Sequence, residues 1–134
     1  MKRIITLVLL LVSFLIGTSQ MNAQPITMEM SGSIGEYPAV IVLTINKGKA
    51  TGYYEFNGSN APQSGRITLS GTYKSDPDPD MPSYPWFKGT LTAKNASGTI
   101  VGKWNVTFET RTGSIEGTCT INGKRYDLVA EEDY

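Results

Sequence analysis

The stretch TIVGKWNVTFETRTGSIEGTCTING, residues 99–123, decides the fold. Apolar and polar residues alternate along it on both sides of the turn residues Arg111-Thr112-Gly113, and a period of two is the signature of a half-buried β-strand. Each strand nevertheless carries a glycine, Gly102 or Gly117, in the phase that should face inward. Glycine weakens a strand, and it is kept where the backbone bends sharply or where another group comes close.

The same five-residue pattern, apolar-x-Gly-x-apolar, recurs at Ala50–Tyr54, Leu69–Tyr73, Phe87–Leu91, Ile100–Trp104 and Ile115–Cys119. Tightly curved sheets use such glycine kinks, with an aromatic ring from a neighbouring strand covering the gap. The alternative is that Gly52, Gly71, Gly89, Gly102 and Gly117 hollow out a cavity for a small apolar ligand. The inward phase also holds Tyr54, Phe56, Tyr73, Phe87, Trp104 and Phe108, with Ile100, Ile115 and Cys119. Rings in that number can fill the interior of an eight-stranded barrel. The opposite phase is polar, running Arg66, Thr68, Ser70, Thr72 on one strand and Lys103, Asn105, Thr107, Glu109 on another. An outer-membrane barrel would show the reverse, with apolar residues facing lipid.

Extending the same reading predicts strands at 26–34, 39–46, 49–56, 66–74, 86–94, 99–109, 114–121 and 124–129. Asn122-Gly123 is the strongest hairpin signal, since a type I′ turn needs positive φ at both central residues. Eight short strands with mostly tight connections predict an all-β antiparallel meander closing into a small up-and-down barrel, with a two-sheet sandwich as the competing architecture. Successive loops of a meander alternate ends, so the long loops 57–65 and 75–85 are expected at opposite ends of the barrel.

Repeated Gly-x-aromatic units, Gly52-Tyr53-Tyr54, Gly71-Thr72-Tyr73 and Gly102-Lys103-Trp104, resemble those of calycin-type barrels, the avidin-like and lipocalin-like proteins. The chain also resembles small secreted bacterial β-barrel proteins of uncharacterised type. The calycin resemblance implies a cup-shaped ligand-binding barrel. The Gly-x-Trp unit of lipocalins lies on the first strand and here on the sixth, so no binding residue of that family is carried over.

Length and composition bound the rest. The 134 residues include 14 glycines, 7 prolines, one cysteine and no histidine, which suits one small domain. Lys2 and Arg3 precede an apolar run from Ile4 to Ile16, and small or polar residues follow to Ala23, the pattern of a secretory signal peptide. The expected product is an exported domain of residues 24–134, periplasmic or extracellular. That run is shorter than the about 20 apolar residues a membrane-spanning helix needs, and no later segment is continuously apolar. A single cysteine, Cys119, cannot form an internal disulfide.

Without Lys2 and Arg3 the 12 acidic residues exceed the basic ones by two, and no basic stripe runs through the chain, which argues against nucleic acid as a partner. The absence of histidine removes every Ser-His-Asp or Cys-His pair and every histidine-ligated metal. Glu55, Glu109 and Glu116 fall in the solvent phase, where they read as surface rather than as an acid–base pair. Asp76, Asp78 and Asp80 in SDPDPDMPSYPW, residues 75–86, echo the start of a calcium loop, but its glycine and terminal glutamate are missing. No catalytic residue, metal or cofactor is therefore called for.

Two binding roles remain. In one, the barrel is a cup for a small apolar or aromatic ligand, lined by Tyr54, Phe56, Tyr73 and Trp104. In the other, the barrel is solid and binds an extracellular protein or glycan through loops and outer wall, with Tyr53, Tyr84 and Trp86 as contacts. Trp86 is out of phase with Phe87, which places it outside or over the barrel end.

Overall fold

A computed structural model describes residues 24–76, 79–80 and 86–132. Residues 1–23, expected to be a signal peptide, and Tyr84, expected to be a contact, lie outside the described residues. Eight antiparallel strands follow one another around a closed barrel: β1 (Ile26–Ile34), β2 (Tyr37–Asn46), β3 (Lys49–Phe56), β4 (Ile67–Ser75), β5 (Trp86–Lys94), β6 (Ile100–Glu109), β7 (Ser114–Ile121) and β8 (Lys124–Glu132). The ring closes where β8 pairs with β1, Glu131 opposite Ser31 and Val129 opposite Ser33. The architecture is thus the expected meander barrel rather than the sandwich. Among the described residues there is no helix.

The tight turns follow from residue chemistry. Asn122 and Gly123 take φ of 51° and 88°, and Lys47 and Gly48 take 52° and 83°, the positive pair a two-residue I′ hairpin requires. At the connection from β5 to β6, the Asn95 side chain accepts hydrogen bonds from the backbone N–H of Ser97 at 3.0 Å and Thr99 at 3.1 Å, fixing a local loop.

Close approach, not empty space, explains most of the motif glycines. A Cβ on Gly52 would overlap the carbonyl oxygen of Val42, one on Gly71 that of Thr90, and one on Gly102 that of Thr120. The neighbouring strand's backbone comes in where a side chain would begin. Gly117 meets the Asn105 carbonyl and has φ of 152°, outside the range side-chain-bearing residues favour. Gly89 differs, because its nearest neighbour is the Phe108 ring edge at 3.2 Å.

The bore is crossed by aromatic contacts between strands that are not neighbours in the sheet. Tyr54 on β3 and Trp104 on β6 have ring centroids 5.2 Å apart, and Tyr73 on β4 meets Phe108 on β6 at 5.7 Å. Phe87 joins the second group, stacked on Phe108 at 5.6 Å and edge-on to Tyr73 at 5.5 Å. Tyr54, Trp104 and Phe108 are fully buried among Met28, Met30, Ile41, Leu43, Leu69 and Leu91. One hydrophobic core therefore fills the inside, and it stabilises the chain without any disulfide.

Two expectations from the alternation fail locally. Ile100, expected inside, is 57% exposed, and Val101 packs on the core instead. The register between β5 and β6 shifts at Ala93/Lys94: Ala93 faces Gly102 while Lys94 faces Ile100, so Ile100 turns outward with Lys94. A bulge inserts one residue and flips the phase on its far side. Glu109, expected in solvent, is 1% exposed. Its carboxylate bends back over the turn to β7 and accepts from the backbone N–H groups of Arg111 and Thr112 and from the Thr112 hydroxyl.

Candidate functional site

The rings proposed as a ligand lining divide between two levels of the bore. Tyr54 and Trp104 are fully buried and in contact, whereas Phe56 and Tyr73 are half-buried at opposite ends. Phe56 packs edge-on to Tyr54 at 5.7 Å and to Tyr37 at 6.0 Å. The Tyr54 hydroxyl donates to Gln63 Oε1 at 2.6 Å, which ties the loop 57–66 to the barrel end above these rings. Burial, then the proximity of Cys119, pushes the Tyr54 phenol well above its ordinary 10.0, against the smaller opposing effect of the Gln63 bond. Burial likewise pushes the Cys119 thiol from 9.0 up to about 12, so it stays protonated and unreactive near neutrality. The Trp104 Nε1–H is buried and meets no hydrogen-bond acceptor among the described residues.

The outer wall carries the other features. Trp86 stands half-buried on the outside, opposite Glu109 on β6, and the same rung continues through Ser114 on β7 and Glu131 on β8 to Ser31 on β1. Tyr53 also faces outward, with the Arg66 guanidinium 3.7 Å above its ring and Arg66 in turn 3.5 Å from Glu55. That arrangement satisfies Tyr53 within the wall and separates it from Trp86.

Two open grooves on this wall run into each other. The larger, about 440 Å³, lies over β6, β7 and β8, with Asn105, Thr107, Glu116, Asp127 and Val129 around Gly117. The second, about 360 Å³, shares Glu116 and Val129 and extends to Trp86, Ser114 and Glu131. Val129 is 56% exposed and is the exposed aliphatic side chain among the polar residues that line these two grooves. Sequence reasoning missed it, although the signal was present: Tyr126 and Leu128 set the inward phase of β8, which leaves Val129 outward.

The combined surface offers one half-buried indole, one exposed aliphatic side chain, the Lys88 ammonium and a ring of hydroxyl, amide and carboxylate groups. Such a set orients a polar ligand by hydrogen bonds while the apolar groups take its less polar face. Nothing in it forms a nucleophile–base pair, and among the described residues no group of three or more Cys, Asp and Glu side chains gathers as a metal site. Compared with known proteins, the sequence matches no protein family, no curated protein and no solved structure.

Proposed function

We propose that this chain is an exported, non-catalytic binding barrel that recognises a glycan along its outer wall, in the groove between Trp86 and Val129. The observation that carries this reading is the crossing of the bore by Tyr54–Trp104 and Tyr73–Phe108 contacts, which leaves little room inside for a guest. A closed barrel also has no free strand edge on which a peptide could add. A stable protein partner needs about 800 Å² of each surface with an apolar centre. Val129 and Trp86 are a small apolar centre among Asn105, Thr107, Glu116, Asp127 and Glu131, a balance better suited to sugar rings.

Trp86→Ala and Val129→Asp, screened against an array of oligosaccharides, test the proposal. Each is expected to weaken binding about tenfold or more, the equivalent of about 1.4 kcal/mol, with an unchanged unfolding midpoint. Full binding by both variants would overturn it.

One observation favours the second reading, a small apolar or aromatic ligand held by Tyr54, Phe56, Tyr73 and Trp104 as in a calycin cup. The unpartnered Trp104 N–H is a donor that a guest could satisfy. Native mass spectrometry of the exported protein decides this: extra mass that leaves on unfolding supports the cup, and a bare mass supports the wall.

A further inference from the structure

On the outer wall beside the groove, Lys74 on β4 and Lys88 on β5 stand directly opposite each other. Like charges on one rung destabilise a sheet. Neither lysine has a carboxylate of the described residues within ion-pair distance, although Asp76 follows two residues after Lys74. The next rung pairs Thr72 with Thr90, and Lys49 on β3 faces Thr72 from the other side. Together Thr72, Lys74, Lys88 and Thr90 line a shallow groove of about 330 Å³. Lys88 also lines the larger groove around Gly117, so the two surfaces adjoin.

Resting on the glycan reading above, we infer that the lysine pair is a subsite for the acidic group of a glycan that carries one acidic sugar at its end and neutral sugars beyond it. Two ammonium groups on one rung can hold a carboxylate or sulfate between them, and the flanking threonine hydroxyls can donate to its remaining oxygens. The wall beyond changes sign: Glu116 lies two strands from Lys88, about 10 Å at ordinary strand spacing, and Asp127 lies on the strand after it. A uniformly charged polyanion such as nucleic acid would be repelled there. A saccharide with one anionic ring at the lysines and neutral rings running from there past Glu116 to Val129 matches both halves.

The test is isothermal titration of the exported protein with sialyllacto-N-tetraose, in which one terminal sialate caps neutral sugars, and with the neutral lacto-N-tetraose that lacks it. The expected result is binding of the sialylated saccharide that weakens about tenfold or more in Lys74→Gln/Lys88→Gln and falls with added salt, while the variant treats the neutral saccharide as the native protein does. Lys88→Glu is expected to abolish the preference for the sialylated saccharide and to raise the unfolding midpoint, because it turns a repulsive rung into an attractive one; a lowered midpoint would count against the inference. If Trp86→Ala loses the sialylated saccharide while Lys74→Gln/Lys88→Gln retains it, the lysine subsite is wrong and the groove reading stands. If the native protein binds neither saccharide, the subsite is wrong for this class and the groove reading falls back on the wider array.

Discussion

Replacing single glycines by alanine separates the close-approach explanation from a merely loose core. Gly→Ala at a site the new residue can occupy gains about 0.4–1 kcal/mol by restricting the unfolded chain. At Gly52, Gly71 and Gly102 that gain is overwhelmed. The added methyl would overlap a main-chain carbonyl of the adjacent strand, and at Gly71 it would also lie 2.8 Å from the Leu91 Cα. Backbone cannot rotate away as a side-chain tip can. Relief requires either separating the strands, which breaks ladder hydrogen bonds at about 1 kcal/mol each, or bending the chain, where a 15° change in the N–Cα–C angle alone costs about 4 kcal/mol. A loss of about 3 kcal/mol or more is expected at each of these positions.

Gly89 is the internal control. It shares the sequence pattern and the inward phase, yet an added methyl there meets the Phe108 ring at 3.2 Å and the Thr72 carbonyl at 3.6 Å. A ring can shift by a few tenths of an ångström, so Gly89→Ala is expected within about 1 kcal/mol of the native protein. Urea unfolding followed by the fluorescence of buried Trp104 measures all four variants on one scale. Equal losses at Gly89 and at Gly52, Gly71 and Gly102 would refute the reasoning, because the glycines would then respond to their common pattern and not to what each one faces.

Other positions give further expectations. Glu109→Ala removes the acceptor for the turn after β6 and is expected to cost about 1–3 kcal/mol, whereas Glu116→Ala on the exposed wall stays within about 0.5 kcal/mol; urea midpoints compare them. Cys119 and Tyr54 both have folded-state values raised above their unfolded ones, so their contribution is fully present below pH 9 and is lost as pH rises. For Cys119 the loss runs from its unfolded 9.0 to about 12, at up to about 1.4 kcal/mol per pH unit for one proton. Cys119→Ala is expected to move the start of alkaline destabilisation upward, read from midpoints measured between pH 8 and 11.

The strand order was legible because every strand advertises its phase with large rings or aliphatic residues, and because turns such as Asn122-Gly123 are punctuated by residues that accept positive φ. What failed was governed by neighbours. Ile100 and Val101 are both apolar, so either could have faced inward, and only the Ala93/Lys94 register shift selects Val101. Glu109 sits in the solvent phase, and its burial depends on a turn folding back over it. The role of Gly89 could not be told from that of Gly52, since the difference lies in which atoms of another strand come near. Trp86 was readable as an outward residue, but its place beside Glu131 and Ser114 depends on curvature bringing three strands into one groove.

The proposed recognition face and the packed core lie on opposite faces of the same strands, so on that proposal most substitutions should affect one without the other; Gly117 is where the two meet. Its φ of 152° and its contact with the Asn105 carbonyl belong to the barrel's packing, while it also lines the groove between its partners Val106 and Leu128. An added Cβ would lie 2.7 Å from the Val106 Cα, so β7 must move away from β6. The outward neighbours Glu116 and Thr118 would move with it, and both the stability and the shape of the groove would change. Gly117→Ala is therefore expected to lower the unfolding midpoint as Gly102→Ala does and, at a temperature where both variants remain folded, to weaken glycan binding, which Gly102→Ala leaves intact. Equal binding by the two folded variants would mean that the groove around Gly117 is a by-product of curvature and that recognition lies elsewhere on the wall.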